Sequence, residues 1–309
     1  MKNMLKVTAA CLFLIFAACL GAGLGGQTPP AAQSGQQPPQ PPAITVQQIK
    51  ANIYMVKGGS GANTGFYIGD KGVIAIDAKM TEESAKQIVA EIKKLTPKPI
   101  QYIVITHSDG DHVNGLNGFP QGLTIISHEQ TKKDMEEAFK DSKYEALRVY
   151  LPNLIMTDHY EITIDTLPVQ LKHFGPAHTS GDVVVYFPAE KVVFVGDLVF
   201  IGRDPLIHRQ KGGTSFGLVK NLKEILKLEA DTFIPGHGDI VSKKDIETLM
   251  TSIEEKQAKI KAMVQEGKSL DEIKKAFGVE SPSPAQSQQG RMRWPSLVEV
   301  IYLDITEKK

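Results

Sequence analysis

The stretch T-H-S-D-G-D-H-V-N-G, Thr106 to Gly115, decides how this chain is read. It sets His107, Asp109, Asp111 and His112 within six residues, directly after the apolar run I-Q-Y-I-V-I from Ile100 to Ile105. Such a run, bounded by polar and glycine residues, reads as a buried strand. The imidazoles and carboxylates therefore stand at a strand's C-terminal end. A polar turn would look similar, because a lone His or Asp beside a glycine is more often a turn former or helix cap than a ligand. The remainder of the chain has to decide between turn and metal site.

Working outward, short β-type runs at Ile53–Val56, Gly65–Ile68 and Val73–Ile76 are separated by the glycine-bearing turns G-G-S-G-A-N and G-D-K-G, as in an antiparallel meander. A helix follows, with Thr81 as N-cap, apolar residues at Ala85, Ile88, Val89, Ile92 and Leu95, lysines in its last turn and Pro97 beyond. The quoted stretch reads as a loop. After it, strands are expected at Leu123–Ile126, near Ile162 and Val169, and at Val183–Phe187, Val192–Val195 and Phe233–Ile234. Helices are expected from Glu129 to about Phe139, at Ser215–Leu228 and at Ser242–Glu266, the last stopped by Gly267. Another opens on the capping box S-L-D-E at Ser269–Glu272. Leu297, Val298, Ile301 and Tyr302 recur at helical spacing and read as a helix docked on the core. Strands in two batches, each followed by helices, predict an α/β protein with two sheets face to face and helices outside.

The N-terminal region reads differently. Residues 1–24 have the pattern of a signal peptide: Lys2 and Lys6 precede an apolar run from Val7 to Leu20 that is short for a membrane span. Residues 25–42 are rich in Pro, Gln and Gly, without charge or apolar periodicity, and read as a disordered spacer. One domain is expected from 43 to 309. The cysteines, Cys11 and Cys19, both fall in the leader, leaving the domain without a disulfide or thiolate ligand. F-A-A-C resembles a lipoprotein cleavage box that would anchor the chain through Cys19, while simple cleavage near Ala18 or Ala22 explains the same residues. The expected location is thus the bacterial periplasm, a membrane-anchored lipoprotein, or secretion. With 35 basic and 35 acidic residues, the charge gives no footing for nucleic acid or an anionic membrane as partner. A small-molecule substrate is expected instead.

Other ligand-type side chains also end strands: Asp77 in V-I-A-I-D, His178 in G-P-A-H-T-S-G-D before Val183, Asp197 in V-V-F-V-G-D and His237 in I-P-G-H-G-D. Three carboxylates (Asp109, Asp111, Asp197) and four imidazoles (His107, His112, His178, His237), with no thiol, suit two divalent metals of borderline-to-hard character. In order and context these residues resemble the metallo-β-lactamase superfamily, whose signature is a strand-end acid, H-x-H-x-D-H, a lone His, a lone bridging Asp and a final His. The likeness spans Ile44 to Asp239. It implies an αβ/βα four-layer sandwich with two divalent metal ions, zinc first and iron or manganese otherwise, in a groove along one edge of the sheets. By position it implies that His107, Asp109 and His178 hold one ion and Asp111, His112 and His237 the other. Asp197 would bridge them, and Asp77 would steady a ligand or a loop.

Asp109 stands where the family has its middle histidine. The added carboxylate removes one unit of positive charge, which predicts a weaker Lewis acid and a less acidified water. If Asp109 is not a ligand, its metal position is weak or empty. A carboxylate there also resembles the di-iron branch of the superfamily, which uses Glu and carries a flavodoxin-like domain. The residues after His237 contain neither that length nor an obvious phosphate-binding loop. The expected function is an exported hydrolase in which a metal-held hydroxide attacks an ester, thioester, lactone or β-lactam carbonyl, with Asp111 orienting the nucleophile and passing on its proton. Its alternatives are a di-iron redox protein related to the oxygen- or NO-reducing branch, or a catalytically weak metal-binding relative. His208 and Arg203, with Gly212–Ser215, are expected to line the substrate groove. His128 should open a helix, and His159 and His173 should be packing or surface groups.

Overall fold

The structure, a computed structural model, describes residues 42–164, 168–279 and 294–307, all within one compact unit, Pro41–Lys309. The signal-peptide and lipoprotein readings, Cys11 and Cys19, and nearly all of the spacer lie outside the described residues. Seven strands build a first sheet in chain order: β1 (Thr45–Lys50), β2 (Ile53–Lys57), β3 (Thr64–Ile68), β4 (Val73–Ile76), β5 (Ile100–Val104), β6 (Thr124–His128) and β7 (Leu154–Met156). β1 to β4 are antiparallel, and β4 to β7 run parallel. The second sheet has five strands in the order β12 (Thr232–Pro235), β11 (Val192–Gly196), β10 (Val184–Phe187), β9 (Val169–Lys172) and β8 (His159–Ile162). Only the β11–β12 pair in it is parallel.

Side-chain alternation along each strand creates the layers. Ile74, Ile76 and Val104 of the first sheet meet Leu171, Val185, Phe187, Val192, Phe194 and Ile234 of the second in the central core. Their neighbours Val73, Ala75 and Ile103 face outward, where Ala85, Ile88, Val89 and Ile92 of α1 (Glu82–Leu95) cover them. On the other side Val184, Tyr186, Val193 and Val195 pack under α4 (Ser215–Lys227), α5 (Lys243–Gln265) and α7 (Leu297–Thr306). Three cores between four layers make the αβ/βα sandwich. Leu95, counted on the apolar face of α1, is instead 49% exposed at the helix's last residue.

Local sequence explains most boundaries. Thr81 caps α1 by accepting from Ser84 N, Glu82 and Glu83 open it and Lys93 and Lys94 close it, complementing the helix dipole. Capping boxes start α5 at Ser242, α6 (Leu270–Ala276) at Ser269 and α7 at Ser296. His128 caps α3 (Glu129–Ala138) through Nδ1, which accepts from Gln130 N. Two strands escaped the sequence reading. β1, T-V-Q-Q-I-K, is a polar edge strand, and β7 has three residues; neither carries the alternating apolar pattern long enough to be seen. The quoted stretch is also not all loop: Gly110–Val113 forms the short helix α2 with Asp109 at its N-cap.

Candidate metal centre

Parallel strands end on the same side, so β4, β5, β11 and β12 deliver their following residues to one sheet edge. Asp77 follows β4 with φ at +60°, a left-handed conformation that is strained for a non-glycine residue. Its carboxylate compensates for that strain. Oδ1 accepts from Thr106 N at 2.8 Å, and Oδ2 accepts from the Thr106 hydroxyl at 2.8 Å and from His112 Nδ1 at 2.8 Å. Asp77 thus ties the end of β4 to the end of β5 and to α2, as the sequence placed it, beside a ligand-type residue. It also fixes the tautomer of His112, leaving Nε2 bare.

The other imidazoles are fixed in the same way. His178 Nδ1 donates to Leu206 O at 2.8 Å. Thr106 gives its hydroxyl proton to Asp77, so His107 Nδ1, 3.1 Å from that oxygen, is the donor between them. In each case Nε2 turns inward. The ligand atoms of His107, Asp109 and His178 lie within 4.8 Å of one another, as do those of Asp111, His112 and His237, and those of His107, His112 and Asp197. Asp197 stands between the two trios, 3.3 Å from His112 Nε2, 3.4 Å from His237 Nε2 and 4.0 Å from His107 Nε2. His107 Nε2, His112 Nε2 and Asp197 Oδ1 are buried without a hydrogen-bond partner. Unpaired polar atoms in a dry interior cost about 1–3 kcal/mol each, so three that converge call for a cation. The donor set fits two divalent ions.

The imidazoles and carboxylates perturb one another: against burial, the neighbouring carboxylates raise His112 well above 6.5 and His178 to about 9, and hydrogen bonds to Asp111 and Asp197 raise His237 to about 9. Burial would raise the Asp197 carboxyl, but His112 and His237 hold it well below the usual carboxylate range. Burial likewise works against ionised Asp109, which hydrogen bonds from His178 and His208 keep deeply ionised. His107 is pushed well below 6.5 by burial and by neighbouring His112 and His178. Gly236 completes the close packing: a Cβ there would fall 2.1 Å from Asp197 Oδ1 and 2.8 Å from His112 Cε1, so only glycine fits.

Several supporting residues were missed in the sequence. Asn63 Nδ2 donates to Pro235 O at 3.0 Å and Gly238 O at 2.9 Å, clamping the His237 turn. Asp182 accepts from Thr179 N and the Thr179 hydroxyl, closing the H-T-S-G-D turn after His178, a local motif that could have been read. Lys211, from a loop more than 100 residues away, puts Nζ 2.7 Å from Asp109 Oδ1. Nothing local signals that pair. It restores the unit of positive charge that the sequence reading had counted as lost at Asp109. His208 Nε2 also reaches Asp109 Oδ1, at 3.3 Å, and its ring meets Trp294 at 3.9 Å between centroids. Arg203 lies over the Phe200 ring at 4.5 Å, and Phe200 stacks on His237 at 5.8 Å. His159, exposed, and His173, stacked on His128, stand apart from the three groups of ligand atoms.

Fold and site together define a candidate metal centre on the edge of an αβ/βα sandwich. Residues 58–237 match the metallo-beta-lactamase superfamily, and the chain belongs to it. Among its relatives, the 2,4-dinitroanisole O-demethylase subunit alpha of Nocardioides sp. is 28% identical over 67% of this chain and 61% of its own length. The linear primary-alkylsulfatase of Pseudomonas sp. is 25% identical over 57% of this chain, which spans 41% of that enzyme. The metallo-beta-lactamase type 2 of Elizabethkingia meningoseptica is 28% identical over 54% of this chain and 66% of its own length. The chain therefore spans less than two thirds of these relatives. In fold it is similar to the inverting sec-alkylsulfatase from Pseudomonas sp., with a TM-score of 0.67 at 16% identity over 85% of this chain and 50% of the other. A metallo-beta-lactamase from Pontibacter korlensis gives 0.58 at 17% identity over 69% of this chain and 99% of the other.

Proposed function

We propose that this chain is an exported metal-dependent hydrolase acting on an ester, thioester, lactone or β-lactam, with His107, Asp109 and His178 holding one ion, Asp111, His112 and His237 the other, and Asp197 between them. The observation that carries the reading is the convergence of the buried, unpartnered His107 Nε2, His112 Nε2 and Asp197 Oδ1 between the two trios. Two divalent ions, zinc first, would supply Lewis acidity toward a substrate oxygen and an ionised water at neutral pH. The chain's own part is to position and to move a proton. Asp111 is the least buried of the three carboxylates, with its side chain 22% exposed against 10% for Asp109 and 5% for Asp197. It therefore faces the groove, where it orients the attacking water and passes a proton to solvent. Phe200, under Arg203, would supply an apolar wall beside His237, and Trp294 one beside His208, on two separate flanks of the centre.

Metal analysis together with a substrate panel tests this reading. Nitrocefin, a simple lactone, a thioester and an aryl ester are joined by an alkyl sulfate and an aryl methyl ether, because relatives are named for those substrates. The expected result is two equivalents of zinc and turnover of at least one carbonyl substrate, abolished by chelation and restored by zinc. Iron with an oxygen-dependent optical spectrum would favour the redox alternative, and two zinc ions without turnover a catalytically weak relative. For export, the expectation is membrane fractionation that Cys19→Ala abolishes, or a periplasmic protein cleaved near Ala18 or Ala22.

A further inference from the structure

Asp109 divides its two oxygens between different surroundings. Oδ2 faces the centre, 3.1 Å from His178 Nε2 and 3.8 Å from His107 Nε2. Oδ1 points away, bonded by Lys211 Nζ at 2.7 Å and approached by His208 Nε2 at 3.3 Å. Lys211 is itself held. Its carbonyl accepts from Ser180 N at 2.8 Å, its amide donates to His208 O at 2.9 Å, and Nζ makes a further bond to Ser108 O at 3.2 Å. Gly212, with φ at +76°, turns the chain directly after it.

A free carboxylate offers a metal two oxygens and a full negative charge, whereas an imidazole offers one atom and none. With Oδ1 occupied by an ammonium group, Asp109 is left with a single inward donor atom and, together with Lys211, no net charge. We propose that Lys211 is a positioning residue for the centre: by binding Asp109 Oδ1 it makes the Asp109–Lys211 pair equivalent, in donor number and charge, to the neutral histidine that the family motif places there. A buried ion pair is weak evidence of a stabilising role. Its location on a ligand-type carboxylate gives it a different use.

This inference rests on the metal-centre reading above, and a double-mutant cycle read by zinc affinity separates the two. Zinc dissociation constants are measured by chelator competition, with circular dichroism as a check of fold, for the wild type, Lys211→Met, Lys211→Gln, Lys211→Arg, Asp109→His and Asp109→His/Lys211→Met. Removing the ammonium leaves an uncompensated carboxylate, so Lys211→Met and Lys211→Gln should tighten zinc at the His107–His178 position by about tenfold. Freed Oδ1 should also raise the coordination number, seen as weaker visible absorption of the cobalt-substituted protein. Asp109→His alone strands the ammonium beside the ion and should weaken zinc by about tenfold. The double variant should return close to wild type, and Lys211→Arg should retain wild-type affinity. A double variant that stays as weak as Asp109→His or as tight as Lys211→Met, or weaker zinc binding in both Lys211→Met and Lys211→Gln, would overturn the proposal. A wild type that binds two zinc ions while the double variant fails to return to its affinity loses this inference alone, and one that binds no zinc loses the metal-centre reading with it.

Discussion

His178 is held through Nδ1 by a backbone carbonyl, whereas His237 meets two carboxylates through Nε2, and the two Nε2 atoms belong to different trios. His178→Ala and His237→Ala should each remove about one equivalent of metal and lower turnover by about two orders of magnitude or more, while His159→Ala should do neither. Equal loss in His159→Ala, measured by metal analysis of the purified variants, would show that strand-end placement does not select ligands. Lys79 presents a different residue-scale problem, a lysine with no exposed surface, donating to Ala62 O at 2.6 Å and Val56 O at 3.3 Å. Burial pulls its pKa from 10.5 to about 8 against the attraction of Asp77. A base whose pKa is lowered by folding holds its proton more tightly in the unfolded chain, so its contribution to stability rises between about pH 8 and 10.5 and is least favourable below that window. Relative to Lys79→Met, the wild type should therefore gain up to about 3 kcal/mol across that range in urea unfolding. A constant difference would mean that the fold does not perturb this amine.

At the scale of elements, α7 does more than cover the second sheet. The sequence correctly reads Leu297, Val298 and Ile301 as a docking face, and all three are buried. Asp304, one turn further on, was not singled out. Its Oδ2 accepts from Ser215 N at 2.7 Å, Ser215 Oγ at 2.8 Å and Thr214 Oγ1 at 3.0 Å, and Oδ1 pairs with Arg209. Thr214, the N-cap of α4, makes no side-chain cap bond of its own, so α7 caps α4 from outside. The loop between these anchors carries Lys211, and His208 directly precedes it. Asp304→Ala should cost about 3 kcal/mol, because it leaves a largely buried arginine without its inner partner, and should also weaken zinc binding at the Asp109 side of the centre. Ser296→Ala, which removes only the α7 cap, should cost about 1 kcal/mol and leave zinc affinity unchanged. Matching effects of the two on zinc titration would argue that α7 supports the fold but not the loop.

On the scale of the whole molecule, a backbone bond ties down the first described residue. Gly59 N donates to Pro42 O at 2.6 Å, so a chain starting at residue 41 should keep the melting temperature of the full protein. A start at Ala43, the boundary read from composition, forfeits that bond, with an expected cost of about 1 kcal/mol, or about 2–4 °C. Equal melting of all three in calorimetry would make the bond irrelevant. The four layers were legible because their causes are local. Alternation in V-I-A-I and V-V-F-V-G fixes which residues face each core, and the caps at Thr81, Ser242 and Ser269 fix helix starts. The ligand-type residues were legible for the same reason, since a strand's end is written in the sequence and parallel neighbours bring such ends together, while their division into trios was implied by the family resemblance. What the sequence alone determined is therefore the sandwich and the identity of the converging residues. Only tertiary structure decided the environment of Asp109, the trans cap from Asp304 and the Asn63 clamp. Each joins residues from 89 to 175 positions apart, a pairing no local period records. Charge at the centre is set by such distant pairs, because an ammonium at 2.7 Å changes what a carboxylate can offer a metal wherever in the chain it originates.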